Sequence, residues 1–155
     1  MKKILSILFV YLFAFTAFAQ FSEARCAGLT DSDVKNFCAN CVEIEKELNK
    51  VNISLSDQSS LTADEKTLKK MNKTLNKYGI SGDEPFEKIK AIYQCYTVET
   101  YDKSISGNPD AEAITKVLGV DPVALMRNFT HPQDCAVVKR HMAELEKAFA
   151  NFYQE

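Results

Sequence analysis

The chain has 155 residues, with 19 basic and 21 acidic side chains and a net charge of −2, which argues against general nucleic-acid binding. Hydrophobic residues make up 46% of it, and Gly and Pro number only five and four, so no segment has the composition of a disordered tail. A chain of this length can bury one real hydrophobic core.

The start of the chain has the three parts of a Sec-type signal peptide. Lys2 and Lys3 form its positive end, an apolar run follows, and a small-x-small cleavage site, AFA, ends at Ala19. We therefore expect export, to the periplasm or by secretion, with 1–19 removed and one helical domain over 20–155. The apolar run is too short for a membrane anchor, so no transmembrane anchor is expected after cleavage. The loss of two lysines leaves 17 basic against 21 acidic residues, a net charge of −4.

The first predicted helix, 29–51, carries two of the five cysteines and is expected to organise the fold. Thr30 and Asp33 have the spacing of a capping box at its start. Its apolar residues recur every three or four positions, which places them on one face. They are Val34, Phe37, Cys38, Cys41, Ile44, Leu48 and Val51.

A second helix is predicted to begin with a capping box at Thr62 and Glu65 and to end at Gly79. Leu68, Met71, Leu75 and Tyr78 form its apolar face. Five lysines fall within a stripe on the opposite side, and we call them the lysine stripe: Lys66, Lys69, Lys70, Lys73 and Lys77. The stripe is either an ordinary solvated face or a binding surface for an acidic protein, an anionic lipid surface or a polyanion.

Further helix-start signals follow along the chain. Ser81 and Glu84 predict a third helix, which is apolar over a wide arc and is therefore expected to be central. Asn-Pro at 108–109 and Asp-Pro at 121–122 predict two short helices, and a T-x-x-Q box at 130–133 predicts the last helix. No stretch alternates as a strand would. We predict an all-α, disulfide-stapled single domain of about six helices in bundle-like or orthogonal packing.

All five cysteines follow the predicted signal peptide, and export favours disulfides. They are Cys26, Cys38, Cys41, Cys95 and Cys135. An odd number leaves at least one thiol free, and the spacing does not give the connectivity. We predict that Cys38 or Cys41 is bonded to Cys95 or Cys135, and that Cys26 either is the leftover thiol or displaces one of the others.

The C-x-x-C at 38–41 also has a chemical interpretation. In thiol-disulfide oxidoreductases this motif lies at a helix N-terminus after a strand, whereas here a turn of helix precedes it and no strand is visible. A zinc site is conceivable from Cys38, Cys41, Cys95 and Cys135, or with His131 and His141, but no second ligand pair follows the first. His131 and Cys135, four residues apart, have the spacing of a nucleophile and its base. No catalytic motif accompanies them, so no catalytic residue, metal or cofactor is expected.

The leading hypothesis is an exported binding module that acts through its surface, with another protein or an anionic surface as partner. A second hypothesis is a carrier of a small apolar ligand, with a cavity lined by Phe86, Tyr93, Tyr96, Met126, Phe129, Met142 and Phe149; the same residues more often fill a core. The third is a thiol-disulfide oxidoreductase that uses the C-x-x-C. Three glycosylation sequons occur, at Asn52, Asn72 and Asn128, and matter only in a host that glycosylates.

Overall fold

The computed structural model describes residues 24–55, 63–106, 108, 113, 116–117, 119 and 121–152. Six helices lie in these ranges: α1 (Asp31–Asn49), α2 (Glu65–Lys77), α3 (Pro85–Ile105), α4 (Pro122–Arg127), α5 (Pro132–Arg140) and α6 (Met142–Phe152). No strand occurs among these residues, and the predicted all-α class is confirmed. The predicted signal peptide, and most of the short helix predicted after 108–109, lie outside the described residues.

Two helices are central. α1 contacts α2, α3, α5 and α6, while α3 contacts α1, α2, α4 and α5, which confirms the prediction that the third helix is central. Their fully buried side chains include Phe37, Ile44, Leu48, Phe86, Ile89 and Ile92. Each side chain of this size stabilises the fold by about 1.5–3 kcal/mol when it leaves water. A smaller apolar cluster of Val98, Val123 and Met126 joins α3 to α4.

The start of α1 is built by the predicted capping box. The Thr30 hydroxyl accepts a hydrogen bond from the backbone N–H of Asp33 at 3.2 Å, and the Asp33 carboxylate accepts one from the backbone N–H of Thr30 at 3.0 Å. Two N–H groups that a helix start would otherwise leave without partners are thereby satisfied.

Asp33 also joins α1 to α3, a role that the sequence did not indicate. Its side chain is fully buried and accepts hydrogen bonds from Lys88 Nζ at 2.8 Å and from the backbone N–H of Ser81 at 3.1 Å. Burial would raise the pKa of this carboxyl, but the hydrogen bonds from Lys88, Thr30 and Ser81 outweigh burial and lower the pKa below its usual value. The folded protein therefore holds Asp33 as a carboxylate.

The end of α2 matches the prediction and its start does not. Gly79 has φ +79°, its N–H donates to the Asn76 carbonyl, and the N–H of Ile80 donates to the Leu75 carbonyl, which together form a Schellman motif. The N-terminal cap is Asp64, whose carboxylate accepts hydrogen bonds from the backbone N–H groups of Lys66 and Thr67. The predicted cap Thr62 lies outside the described residues, and helix α2 begins at Glu65, two residues later than a cap at Thr62 would place it.

Two further helix starts differ from their predictions. α3 begins at Pro85, and Ser81 serves the Asp33 network in place of capping a helix. α5 is capped by His131, whose Nδ1 accepts from the N–H of Gln133 at 3.4 Å, whereas the hydroxyl of the predicted cap Thr130 donates to the carbonyl of Arg127 at the end of α4. The start of α4 is as predicted, because Asp121 accepts two helix N–H groups.

The last predicted helix is two helices. His141 adopts a non-helical conformation between α5 and α6 and is only 8% exposed. Its ring lies 2.7 Å from Asp31 and 3.1 Å from Glu144. Hydrogen bonds first from Arg140 and then from His141 lower the pKa of Asp31 to about 2, so the joint between α5 and α6 is tied to the start of α1 by charge.

Candidate functional site

The lysine stripe lies on the outer face of α2. All five lysine side chains are exposed, while Met71 and Leu75 on the opposite face are buried in the core. Lys69 pairs with Glu65 at 2.7 Å, and both side chains are more than three-quarters exposed. Among the residues that the structure describes, the other four stripe lysines form no ion pair, so their charge faces solvent.

The cysteines are paired differently from the prediction. A disulfide joins Cys95 in α3 to Cys135 in α5, with 5.0 Å between the Cα atoms, whereas Cys26, Cys38 and Cys41 are free thiols. The prediction that Cys38 or Cys41 is bonded to Cys95 or Cys135 is therefore wrong, although helices far apart in sequence are stapled as expected. The physical reason is that α3 and α5 pack directly against each other, which a sequence pattern does not reveal.

The disulfide also changes two other candidate sites. Because Cys95 and Cys135 are bonded to each other, they offer no thiolates to the zinc site that the sequence suggested. For the same reason Cys135 does not serve as a nucleophile beside His131. The ring of His141 is engaged by Asp31 and Glu144.

The C-x-x-C lies where α1 is kinked. Asn40, between the two cysteines, has φ −122° and ψ 16°, and its side-chain amide donates to the carbonyl of Asn36 at 2.9 Å. In a regular helix that carbonyl accepts from the backbone N–H of residue 40. Burial, with the nearby Glu144 carboxylate, raises the pKa of Cys38 to about 11. Burial, with Cys38 and Glu45 nearby, raises that of Cys41 to about 12.

Raised thiol pKa values give a prediction for alkylation. We expect Cys38 to react slowly with iodoacetamide in the folded protein at neutral pH, with a rate that rises about tenfold per pH unit between about pH 7 and 9, since only the thiolate reacts. Mass spectrometry of the Cys38 peptide measures this, and the urea-unfolded chain is the control that should react faster. Rapid labelling that already levels off near neutral pH would contradict it and favour the oxidoreductase hypothesis.

The residues of the proposed apolar cavity are divided among three places. Phe149 packs against Phe37, Tyr93 and Tyr96 with ring centroids 5.7, 5.9 and 4.5 Å apart, and Phe86 and Met142 belong to the same core. Met126 lies in the separate cluster between α3 and α4. Phe129 lines a surface cleft. Among the described residues, these seven side chains therefore do not line one shared cavity, which the carrier hypothesis requires.

The sequons occupy different settings. Asn72 is engaged, because its side chain accepts from the N–H of Phe86 at 2.9 Å and donates to the carbonyl of Asp83 at 3.5 Å, which fixes the start of α3 against α2. Asn52 and Asn128 are exposed. A glycan on Asn72 would therefore interrupt a contact between helices, whereas one on either of the other two would not meet buried structure.

A polar cleft of about 520 Å³ lies between the segment 24–27 and the first turns of α3 and α5. It brings together Cys26, His131 and Asp134, whose ligand atoms all lie within 4.8 Å of one another. Asp134, which is 2% exposed, was not among the residues predicted from the sequence, and Cys26 was predicted only as a free thiol or a disulfide partner. The three residues are more than 100 positions apart at their extremes, so no local spacing could have found them.

No protein-family model matches this chain, and neither a curated protein nor a solved structure matches it. Within the described ranges, no helix combines the length and the apolar content needed to cross a membrane. The function is therefore inferred from the lysine stripe, the cysteines and the cleft.

Proposed function

We propose that this chain is an exported helical binding module whose lysine stripe binds an acidic surface of another protein. The observation that carries the proposal is the exposure of all five stripe lysines on one face of α2, in a chain with more acidic than basic residues. A local concentration of positive charge on an acidic protein attracts and orients a negatively charged partner. The AFA cleavage site and the Cys95–Cys135 disulfide support export, because disulfides persist in oxidising compartments.

The positive charge of the lysine stripe is little neutralised by acidic side chains of the described residues. The Lys69–Glu65 pair is highly exposed on both sides, and exposed pairs of this kind contribute about 0–1 kcal/mol. A partner carboxylate could therefore replace Glu65 at small cost. The helix beneath is held in place by Met71 and Leu75 in the core and by its Schellman end, so the lysine side chains project from a fixed base.

An acidic protein fits the stripe better than a lipid surface does. A helix that lies in a membrane interface places its apolar face among the lipids and its basic face toward the headgroups. The apolar face of α2, with Met71 and Leu75, is already buried against the rest of the protein. Only the charged face remains for a partner, which favours a surface contact made by charge.

Charge reversal in the stripe tests the proposal. We expect Lys69→Glu with Lys73→Glu to weaken binding to poly-L-glutamate, used as the acidic polypeptide probe, by about tenfold or more, and added salt to weaken wild-type binding as well. Fluorescence anisotropy measures both. The matched control is Lys35→Glu with Lys147→Glu, which changes the net charge equally at exposed lysines outside the stripe. We expect the control to lose much less affinity for poly-L-glutamate than the stripe variant does.

The same variants distinguish the alternatives. A native partner captured from the periplasm or medium by wild type and by the control, but not by the stripe variant, would support the proposal. Equal loss of poly-L-glutamate binding in both variants would reject it, because net charge alone would then explain the affinity. Binding to phosphatidylserine vesicles without binding to poly-L-glutamate would also reject it and indicate a membrane-surface role.

A further inference from the structure

The polar cleft contains three side chains of the types that bind transition metals, and they come from two distant parts of the chain. Cys26 lies in the segment before α1, while His131 and Asp134 lie at the start of α5. The Sγ atom of Cys26 is 3.8 Å from Asp134 Oδ1. The donor atoms of a tetrahedral zinc site lie about 3.3–3.6 Å apart, given metal–ligand bonds of about 2.0–2.3 Å. All three donor atoms lie within 4.8 Å of one another, and movement of the two half-buried side chains, Cys26 and His131, would bring them to the spacing of a metal site.

Asp134 holds the two halves of the cluster together. Its Oδ2 accepts from the N–H of Ala27 at 2.7 Å, and its Oδ1 accepts from the N–H of Leu29 at 2.9 Å. These bonds tie the segment that carries Cys26 to the first turn of α5. The next residue, Cys135, is covalently joined to α3. The Asp134 carboxylate is thus fixed before any ion arrives, and the backbone that carries Cys26 is held beside it; pre-organisation of this kind favours binding.

The basic side chains that line the cleft form ion pairs with carboxylates other than that of Asp134. Arg25 pairs with Glu84 at 3.0 Å, Lys88 with Asp33 at 2.8 Å and Lys90 with Glu87 at 2.9 Å. None of the ion pairs among the described residues involves Asp134. The carboxylate of Asp134 is therefore available to balance the charge of a bound cation, and its buried position strengthens that interaction.

We propose that Cys26, His131 and Asp134 bind one divalent transition-metal ion, with zinc the best match to this donor set. A thiolate, an imidazole and a carboxylate suit zinc, whereas calcium and magnesium prefer oxygen donors alone. On binding, the thiol of Cys26 forms a bond from sulfur to the metal and releases its proton to solvent. Three protein ligands leave a fourth position that faces the cleft, which is the pattern of zinc sites that hold a water or another ligand. This site is separate from α2 and does not depend on the function proposed for the lysine stripe.

Cobalt(II) is the probe for the test, because a thiolate bound to it gives a near-ultraviolet charge-transfer band and tetrahedral geometry gives strong visible bands. The purified protein is titrated under argon without a reductant, so that the disulfide and the free thiols both persist. We expect one equivalent of cobalt to bind with both features, and zinc to displace it. Cys26→Ser should abolish the charge-transfer band, and His131→Ser should weaken binding at least about tenfold. Serine still supplies a helix cap at position 131, so the second variant removes the imidazole without removing the cap.

The matched control is Cys38→Ser, which removes another half-buried free thiol and should leave the titration unchanged. Circular dichroism of each variant confirms that it is folded. A wild-type titration without a charge-transfer band would overturn the proposal. A band that survives Cys26→Ser and disappears in Cys38→Ser would also overturn it, because the metal would then bind at the C-x-x-C.

Discussion

We expect Asp33→Asn to lower the free energy of unfolding by about 3–5 kcal/mol, the usual cost of removing one partner of a buried ion pair. Lys88, only 11% exposed at its side chain, would keep its charge without the carboxylate. The new amide group would also place a donor among the donors of Thr30, Ser81 and Lys88. Urea denaturation measures the change. Glu43→Gln is the control, since it removes an exposed carboxylate from the same helix and should cost less than about 1 kcal/mol.

The same carboxylate predicts a difference in acid stability. The pKa of Asp33 is lower in the folded protein than in the unfolded chain, so the unfolded chain takes up a proton first as the pH falls. Its contribution to stability is therefore complete above about pH 4, the unfolded value, and is lost as the pH falls through the folded value. Wild type should lose more stability than Asp33→Asn below about pH 4. Parallel losses in the two proteins would show that Asp33 is not held as a carboxylate.

Signals carried by neighbouring residues predicted structure correctly. The Thr30–Asp33 box, the cap at Asp121 and the glycine end of α2 each depend on residues within one turn of helix, and each was found where the sequence indicated. Such signals work because the hydrogen bonds that satisfy a helix end are made locally. The starts of α2 and α5 were misplaced by one or two residues because Asp64 and His131 competed with nearby threonines as caps.

Contacts between distant residues were not predictable from local patterns. The stretch after α1 shows no helical apolar pattern in the sequence, yet Ile53 and Leu55 are buried. Glu45 makes this possible, because its carboxylate accepts from the hydroxyl of Ser54 at 3.1 Å and from the N–H of Leu55 at 3.4 Å. Burial raises the pKa of Glu45 despite these bonds. The loop therefore contributes to the core through a contact that only the folded chain creates.

The cysteines show the same limit for the candidate sites. The sequence places Cys38 and Cys41 on the apolar face of the first helix, and Cys41 is buried there. Pairing, however, depends on which helices are neighbours and on which positions along them face each other. The 5.0 Å between the Cα atoms of Cys95 and Cys135 arises from the packing of α3 on α5. The cluster of Cys26, His131 and Asp134 depends on the same packing, so neither the bond nor the cluster had a signature in the sequence.

Removal of the disulfide is expected to be the other large effect. Cys95 and Cys135 are 40 residues apart, and a bond that closes a loop of this length stabilises a protein by about 4 kcal/mol through the entropy of the unfolded chain. We expect dithiothreitol to lower the free energy of unfolding of wild type by about this amount. The double variant Cys95→Ala with Cys135→Ala should be destabilised to a similar or greater extent, because Cys95 is also packed in the core, and it should no longer respond to the reductant.

Cys38→Ala separates this pairing from a bond through α1. If Cys95 is bonded to Cys135, Cys38→Ala keeps the full response to dithiothreitol, because no disulfide is lost. If Cys38 were instead bonded to Cys95 or Cys135, the variant would lose the response in the same way as the double variant. Urea denaturation with and without reductant distinguishes the two cases, and non-reducing peptide mapping identifies the bonded pair directly. A wild-type protein whose stability is unchanged by complete reduction would contradict the role of the disulfide as a staple between α3 and α5.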